Sequence, residues 1–348
     1  MAVNGNKRKK RPSMQDVANL AGVSRTTVSF VLNDVRKANI PPETQKRVLD
    51  AAKSLNYRRN ALASGLRSQK THTIGFISDV IASTPFANRI IQGVQERAWQ
   101  DGYLLLLVNT GNDKGMKKTA VNTLLDRQVD GIIYATMWHR EANPPENILE
   151  VPTVLLDCFV ADRSIPSVVP NEVLGGYRAT KHLIEQGHQR IAFFGNVADV
   201  PAQNGRLAGY RQALDEAGIH YDETLIARGV SIQEGGRSLA LRYFSQPDWP
   251  TAVFCFNDRM AMGVYDALHS LKLTIPQDVA VMGFDDQDLI AADLHPSLST
   301  MALPHYEMGS WAIDHLLTLI SQRQSGLENT APPVQQILDC PFIKRFST

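Results

Sequence analysis

Arg25, Thr26, Thr27 and Ser29 lie between a glycine turn and an apolar run. A guanidinium and three hydroxyls at that spacing suit phosphate oxygens and base edges. Hydroxyls hold backbone phosphates, and an arginine can take guanine bidentately. Two short helices must position them. Ser13 and Asp16 form a Ser-x-x-Asp cap for the first, with Val17, Leu20 and Ala21 recurring at helical spacing as its apolar face. Gly22 supplies a sharp turn, Ser24 caps the second helix, and Val28, Val31 and Leu32 face back onto the first. The polar side chains then share the opposite face, the arrangement of a helix-turn-helix. Arg25, at the start of the second helix, either reads guanine or clamps a phosphate; Thr27 and Ser29 suit phosphates, and Ser24 is first a cap.

Charge separates this segment from an ordinary helical hairpin. Residues 1–70 carry 15 Lys and Arg against 4 Asp and Glu, whereas residues 71–348 carry 21 against 31. A formal net charge of +1 thus hides two oppositely charged parts. The basic one supplies the sequence-independent phosphate attraction that DNA binding needs. A basic arm, Lys7-Arg8-Lys9-Lys10-Arg11, either tracks DNA backbone or stays solvated. No apolar segment follows it, so no signal peptide is expected. The longest dense apolar run, residues 104–108, falls far short of the roughly 20 residues that span a bilayer, and no membrane partner is expected. Cys158, Cys255 and Cys340 lack zinc or redox spacing, which predicts buried thiols and a reducing, cytoplasmic setting.

A chain of 348 residues with 43% hydrophobic content has room for a headpiece and a larger body. Pro41-Pro42-Glu43 opens a third helix, running to about residue 55 with Val48, Leu49 and Ala52 as its core stripe. Residues 58–70 read as a linker that orders on binding. Asn60 can cap one or two turns, but Gly65 weakens them by about 1 kcal/mol relative to Ala. From Thr73 the pattern alternates apolar strands (73–78, 104–109, 131–136, 153–157, 191–195, 252–256 and 279–284) with amphipathic helices (89–99, 116–127, 175–186, 204–217, 235–244 and 259–271). Two runs of this pattern predict an α/β body of two doubly wound parallel sheets, each covered on both faces.

These residues resemble the LacI/GalR family of bacterial transcriptional regulators. The pattern Asp-Val-Ala-x-x-Ala-Gly-Val-Ser-x-x-Thr-Val-Ser-x-x-Leu-Asn stands at Asp16 through Asn33. In the body, Thr73-Ile74-Gly75, Asp130-Gly131, Arg206 with Gly209-Tyr210, Asn257-Asp258 and Gly283-Phe284-Asp285-Asp286 look like family signatures. The resemblance covers residues 13–345. It implies a three-helix headpiece with a hinge helix, then a bilobed body like periplasmic sugar-binding proteins. The expected divisions are a basic arm (1–12), headpiece (13–58), hinge (59–70), N-terminal lobe (71–170 and 301–334) and C-terminal lobe (171–300 and 335–348). The resemblance further implies a homodimer on double-stranded, near-palindromic operator DNA, repressing a carbohydrate-utilisation operon. A small sugar in the interlobe cleft shifts the lobes, alters headpiece spacing and releases the DNA. By position Leu66 is the hinge leucine that wedges into the minor groove, with Asn60 also at the DNA. Phe30 falls on the family's base-reading face, where it touches a thymine methyl or packs internally.

For the effector, Asp79, Asp157, Arg206, Asn257 and Asp285 fall at or near strand ends and facing loops, where two lobes can converge. Carboxylates with Arg and Asn suit bidentate bonds to vicinal hydroxyls, so a sugar or sugar derivative is the leading ligand. Any one of these Asp residues is alternatively a loop cap. Trp138 and His139 either stack on a sugar ring or sit on the lobe surface. The sequence also departs from the family's pattern. Arg59 stands where Pro is usual, Ser64-Gly65 where Arg is common, Pro41 where a Ser cap is frequent, and Asn171-Glu172 where Asp-Asn is usual; the last puts a cleft-edge contact in doubt.

Rival readings remain at this point. An enzyme on the same fold lacks support, because no Gly-x-Gly dinucleotide fingerprint and no Gly-x-x-x-x-Gly-Lys loop occurs. Neither a cofactor nor a metal is expected, since no His or Cys stands at useful spacing near Asp285-Asp286-Gln287-Asp288. A transport-type binding protein conflicts with the basic headpiece. A corepressor-responsive regulator, taking a purine or a partner protein, keeps the DNA function and reverses the sign of the response.

Overall fold

The computed structural model describes residues 12–32, 39–57, 70–81, 84, 88–111, 113–326 and 331–348. Its chain divides into two compact units, residues 1–71 and 72–348. The basic arm, Asn60, Leu66 and the hinge substitutions at Arg59 and Ser64-Gly65 lie outside the described residues.

In the first unit, helix α1 (Met14–Ala21) starts on a complete capping box. The Ser13 amide donates to Asp16 Oδ2 at 2.7 Å, and the Asp16 amide donates to Ser13 Oγ at 3.3 Å. Gly22 ends it in the left-handed region at φ 65°, which glycine adopts without steric cost. Helix α2 (Arg25–Leu32) follows, and α3 (Pro42–Ser54) begins with proline in its first turn. The core comprises Val17, Ala18, Ala21, Val28, Val48, Ala51 and Ala52, with Val31 and Leu32 packed at its edge. Two stripe residues read from spacing are corrected: Leu20 is 57% exposed and Leu49 is 52% exposed. At about 100° per residue, Leu20 and Leu49 sit outside the arcs swept by Val17–Ala18–Ala21 and by Val48–Ala51–Ala52. Ala18, Ala21, Ala51 and Ala52 occupy the buried positions instead.

The second unit contains two six-stranded sheets. The first has the order β11-β5-β4-β3-β1-β2, built from β1 (Thr73–Ser78), β2 (Leu104–Asn109), β3 (Gly131–Glu141), β4 (Thr153–Phe159), β5 (Ser167–Pro170) and β11 (Gln335–Leu338), all parallel. The second has the order β12-β10-β9-β8-β6-β7, from β6 (Ile191–Asn196), β7 (Ile226–Gly229), β8 (Ala252–Cys255), β9 (Ala280–Asp285), β10 (Ser299–Ala302) and β12 (Phe342–Ile343). It is parallel except for the antiparallel β10–β12 edge. Helices α4 (Asn88–Gln100), α5 (Lys114–Asp126) and α10 (His305–Gln324) belong to the first sheet. Helices α6 (Glu172–Glu185), α7 (Pro201–Glu216), α8 (Gln233–Phe244) and α9 (Asp258–Ser270) cover the second. Separate apolar cores line the faces of each sheet. Among the described residues no helix is long and apolar enough to cross a membrane.

The chain passes between the lobes three times: from β5 to α6, from β10 to α10 and from β11 to β12. Backbone bonds tie these crossings together, with Asn171 N donating to Leu338 O at 2.7 Å and Ala302 N to Pro341 O at 2.8 Å. This pairing corrects two expected boundaries. Residues 335–338 pair with β5 in the first sheet rather than joining the C-terminal lobe, and residues 301–302 lie in β10 of the second sheet. A four-residue strand at or next to a sheet edge carries too little apolar pattern to announce which sheet it will join.

Candidate effector cleft and nucleic-acid interface

On α2, Ser24 Oγ caps the helix by accepting from the Thr27 amide at 3.0 Å, and it also pairs with the Thr27 hydroxyl at 2.9 Å. Arg25 and Thr26 stand exposed beside them, and Ser29 is half-buried. Phe30 is 40% exposed and is not part of the headpiece core. The exposed guanidinium and hydroxyl at the helix start have the chemistry of a phosphate- and base-contacting surface.

The cleft is built by an irregularity in the first sheet. β3 and β4 pair at Ala135 with Leu156 and again at Arg140 with Cys158. Residues 136–139 therefore bulge opposite the single residue Asp157, which takes φ 56°. Such a bulge re-aims side chains that a regular strand would alternate between faces. Met137, Trp138, His139 and Asp157 thereby come to line one cavity. From the second lobe come Arg206, Phe256, Asn257, Arg259 and Asp285, and from the crossings Pro170, Glu172, Leu303 and His305. Four of the five effector residues read from sequence thus share one cavity. Asp79 does not line it. Its carboxylate accepts from the Val80 and Met137 amides at 2.6 and 3.0 Å and from Arg140 at 2.6 Å, which makes it a clamp on the loop after β1. For Asp79 the loop-cap alternative describes the contacts.

Arg206 is the centre of the cleft, and close helix packing puts it there. A Cβ on Gly176 would strike the Arg206 backbone, and one on Gly205 would come within 2.6 Å of Glu172 Cβ. These glycines let α6 and α7 approach closely enough for their side chains to meet. Arg206 Nε donates to Glu172 Oε2 at 2.7 Å and Nη2 reaches Oε1 at 3.5 Å. Nη1 donates to the Phe256 carbonyl and to Asp285 Oδ1, the latter at 3.4 Å. The guanidinium lies 3.6 Å from the Phe284 ring centroid and 4.5 Å from that of Phe256. Burial opposes its charge, but Glu172 and Asp285 outweigh burial and hold its pKa up.

The acids respond to burial. It lifts the Asp157 carboxyl well above the usual range, and nearby Glu172 lifts it further. Asp157 Oδ1 is buried with no hydrogen-bond partner. Burial raises Asp285 to about 6, against the pull of Arg206. His139 is held low by burial, with Glu172 opposing, and its Nδ1 stands 4.0 Å from Glu172 Oε1 without a hydrogen bond. Asn257 caps α9 by accepting from the Met260 amide at 2.9 Å, and its amide donates to Ser231 O at 3.2 Å. Behind Asp285, the Gln287 side chain donates to its Oδ2 at 2.9 Å, while buried Asp258 accepts from the Gln287 amide at 2.7 Å and from the Thr300 hydroxyl at 2.7 Å. Among the described residues no group of three or more His, Cys, Asp or Glu could hold a metal ion.

Glu172 was visible in sequence only as a departure from Asp-Asn. Phe256, Arg259 and His305 carried no signal, since each depends on which loops converge. The cavity holds ≈30 Å³, well below the roughly 300–1,000 Å³ of small-molecule sites, and an adjoining pocket of ≈340 Å³ shares His139, Pro170 and Glu172 with it.

Comparison with known proteins points the same way. Residues 13–60 match the family described as bacterial regulatory proteins, lacI family, and residues 180–348 match the periplasmic binding protein-like domain. The chain is similar to the ribose operon repressor of Escherichia coli (strain K12), with 39% identity over 89% of this chain and 93% of that one. Among solved structures it is similar to the lac repressor dimer bound to operator and the anti-inducer ONPF (TM-score 0.79, 26% identity, 97% and 99% of the two chains). It is also similar to the transcriptional regulator CelR–cellobiose complex (TM-score 0.66, 29% identity, 97% and 100%).

Proposed function

The chain belongs to the LacI family of bacterial DNA-binding transcriptional regulators, and from that premise we propose that it represses a carbohydrate-utilisation operon and is released by a small sugar. In this reading it works in the cytoplasm as a homodimer on a near-palindromic operator. Arg25 and Thr26 read base edges, while Ser24, Thr27 and Ser29 hold the helix start and the phosphates. Asp157, Arg206, Asn257 and Asp285 bind the effector, together with Glu172 and His139. The division into headpiece, hinge and two lobes is kept, with the lobe boundaries moved to the three crossings. The observation that carries the reading is the cleft: a buried arginine oriented by two carboxylates, beside an aspartate oxygen that has no protein partner. Such a set is oriented for hydroxyl groups before a ligand arrives.

The relatives supply the first probes, D-ribose and cellobiose. Operator affinity of the full-length protein, measured by fluorescence anisotropy with and without each sugar, tests the reading. Weakening by one of them is expected. Tightening would instead make the ligand a corepressor, and indifference to every sugar tried would remove the sugar reading.

A further inference from the structure

We propose that Glu172 sets the charge of the ligand this cleft accepts: by holding the Arg206 guanidinium it excludes phosphorylated and carboxylated sugars and reserves the site for an uncharged or amino sugar that donates to Asp157. The proposal rests on the sugar reading above and narrows it to a chemical class.

Three carboxylates (Asp157, Glu172 and Asp285) face the cavity with two guanidinium groups, Arg206 and Arg259. Anion-binding sites normally offer an arginine fork with free donors. Here the fork is engaged before any ligand arrives. Nε and Nη2 lie on Glu172, Nη1 lies on the Phe256 carbonyl and Asp285, and the Phe284 and Phe256 rings pack against the guanidinium. Arg259 also lines the cavity and lies close enough to Asp285 to pull its pKa down. An incoming phosphate or carboxylate would have to displace Glu172 from a nearly solvent-free ion pair, whose side chains are 3% and 4% exposed. It would also face the partnerless Oδ1 of Asp157, a residue that is 3% exposed. That oxygen lacks a protein partner, and a sugar hydroxyl or an ammonium group can donate to it.

The test uses the full-length protein in calorimetric titrations with matched probes: D-ribose and D-ribose 5-phosphate, then D-glucose, D-glucose 6-phosphate and D-glucosamine. Binding is expected only among the uncharged and amino members, with each phosphate ester at least about 100-fold weaker than its parent, a factor that corresponds to removing a buried charge partner. A phosphate ester that binds as tightly as its parent overturns the charge proposal and leaves the sugar reading standing. Silence from the whole panel overturns both. A second arm needs no sugar. Inorganic phosphate, compared with chloride at equal ionic strength, should raise the Tm of Glu172→Gln and Glu172→Ala by more than it raises that of the wild type. Folded variants that respond no more than the wild type overturn the proposal, and if neither variant folds, the wild-type panel decides alone.

Discussion

Helix α2 leaves Arg25 and Thr26 exposed, within one short capped segment, whereas the cleft buries Asp157, Glu172, Arg206 and Asn257 after gathering them from four separate elements. The contrast reflects two kinds of recognition. An exposed cation meeting phosphate gains mainly from counterion release, which is strong, non-directional and sensitive to salt. A buried guanidinium has already lost its water and must be satisfied by protein groups, so its geometry is fixed before a ligand enters. The headpiece surface is therefore suited to adjusting on DNA, and the cleft to rejecting whatever does not fit its charges and donors.

Four perturbations would break or sharpen that contrast. The largest effect is expected from deleting residues 1–71, since residues 72–348 form a compact unit of their own. Specific operator binding should fall by about 10³-fold or more, to the background level, while sugar-induced thermal stabilisation of the truncated protein persists. A truncated body that still recognises operator would merge the two regions into one function. Next, Arg206→Ala leaves Glu172 buried without its cation. Urea unfolding should show a loss of about 3–5 kcal/mol, with the sugar response gone. A loss below about 1 kcal/mol would mean that the cleft is no more rigid than the surface.

The third concerns pH. Asp285 is raised from 3.8 to about 6, chiefly by burial, so the folded protein holds this proton more tightly than the unfolded chain. Its contribution to stability is fully present below about pH 4 and is lost as pH rises through about 6, a change on the order of 3 kcal/mol. Unfolding free energies of wild type and Asp285→Asn, measured from pH 4 to pH 7, should differ by that slope; parallel curves would place Asp285 in a solvated setting. The smallest effect is assigned to Arg25→Ala, which should cost about 1–3 kcal/mol of operator discrimination if Arg25 reads a base. A uniform loss across sequences, with the salt slope reduced by about one, would make it a phosphate clamp instead.

How much was legible follows the same division. The capping box at Ser13 and Asp16, the turn at Gly22 and the Ser24 cap are interactions over three or four residues, so residue order alone reveals them. The stripe readings failed at Leu20 and Leu49, because a leucine at helical spacing draws the eye while alanines take the close-packed positions. In the body, the buried central strands were readable as apolar runs. The short strands β5, β7, β10, β11 and β12, at or next to the sheet edges, were not, because pairing partners define them. In the cleft, Arg206 and Asp285 were legible through their motifs, but Asp79 was placed there by proximity to a strand end and turned out to tie its own loop to Met137 and Arg140 of β3.

Sequence by itself determined the class of this protein: a capped helix-turn-helix on a basic segment, followed by alternating strands and helices that only a parallel, doubly wound body can bury. Those are local patterns of charge and period, and they survive without knowledge of contacts. Tertiary structure alone decided what the ligand cleft is. The bulge at residues 136–139, the glycine-permitted crossing of α6 and α7 and the three passages between lobes bring Asp157, Glu172, Arg206 and Asp285 together across 128 positions of chain. Burial then gives those groups pKa values and hydrogen-bond demands that none of them has in the unfolded chain, because a charge removed from water answers only to the neighbours the fold provides.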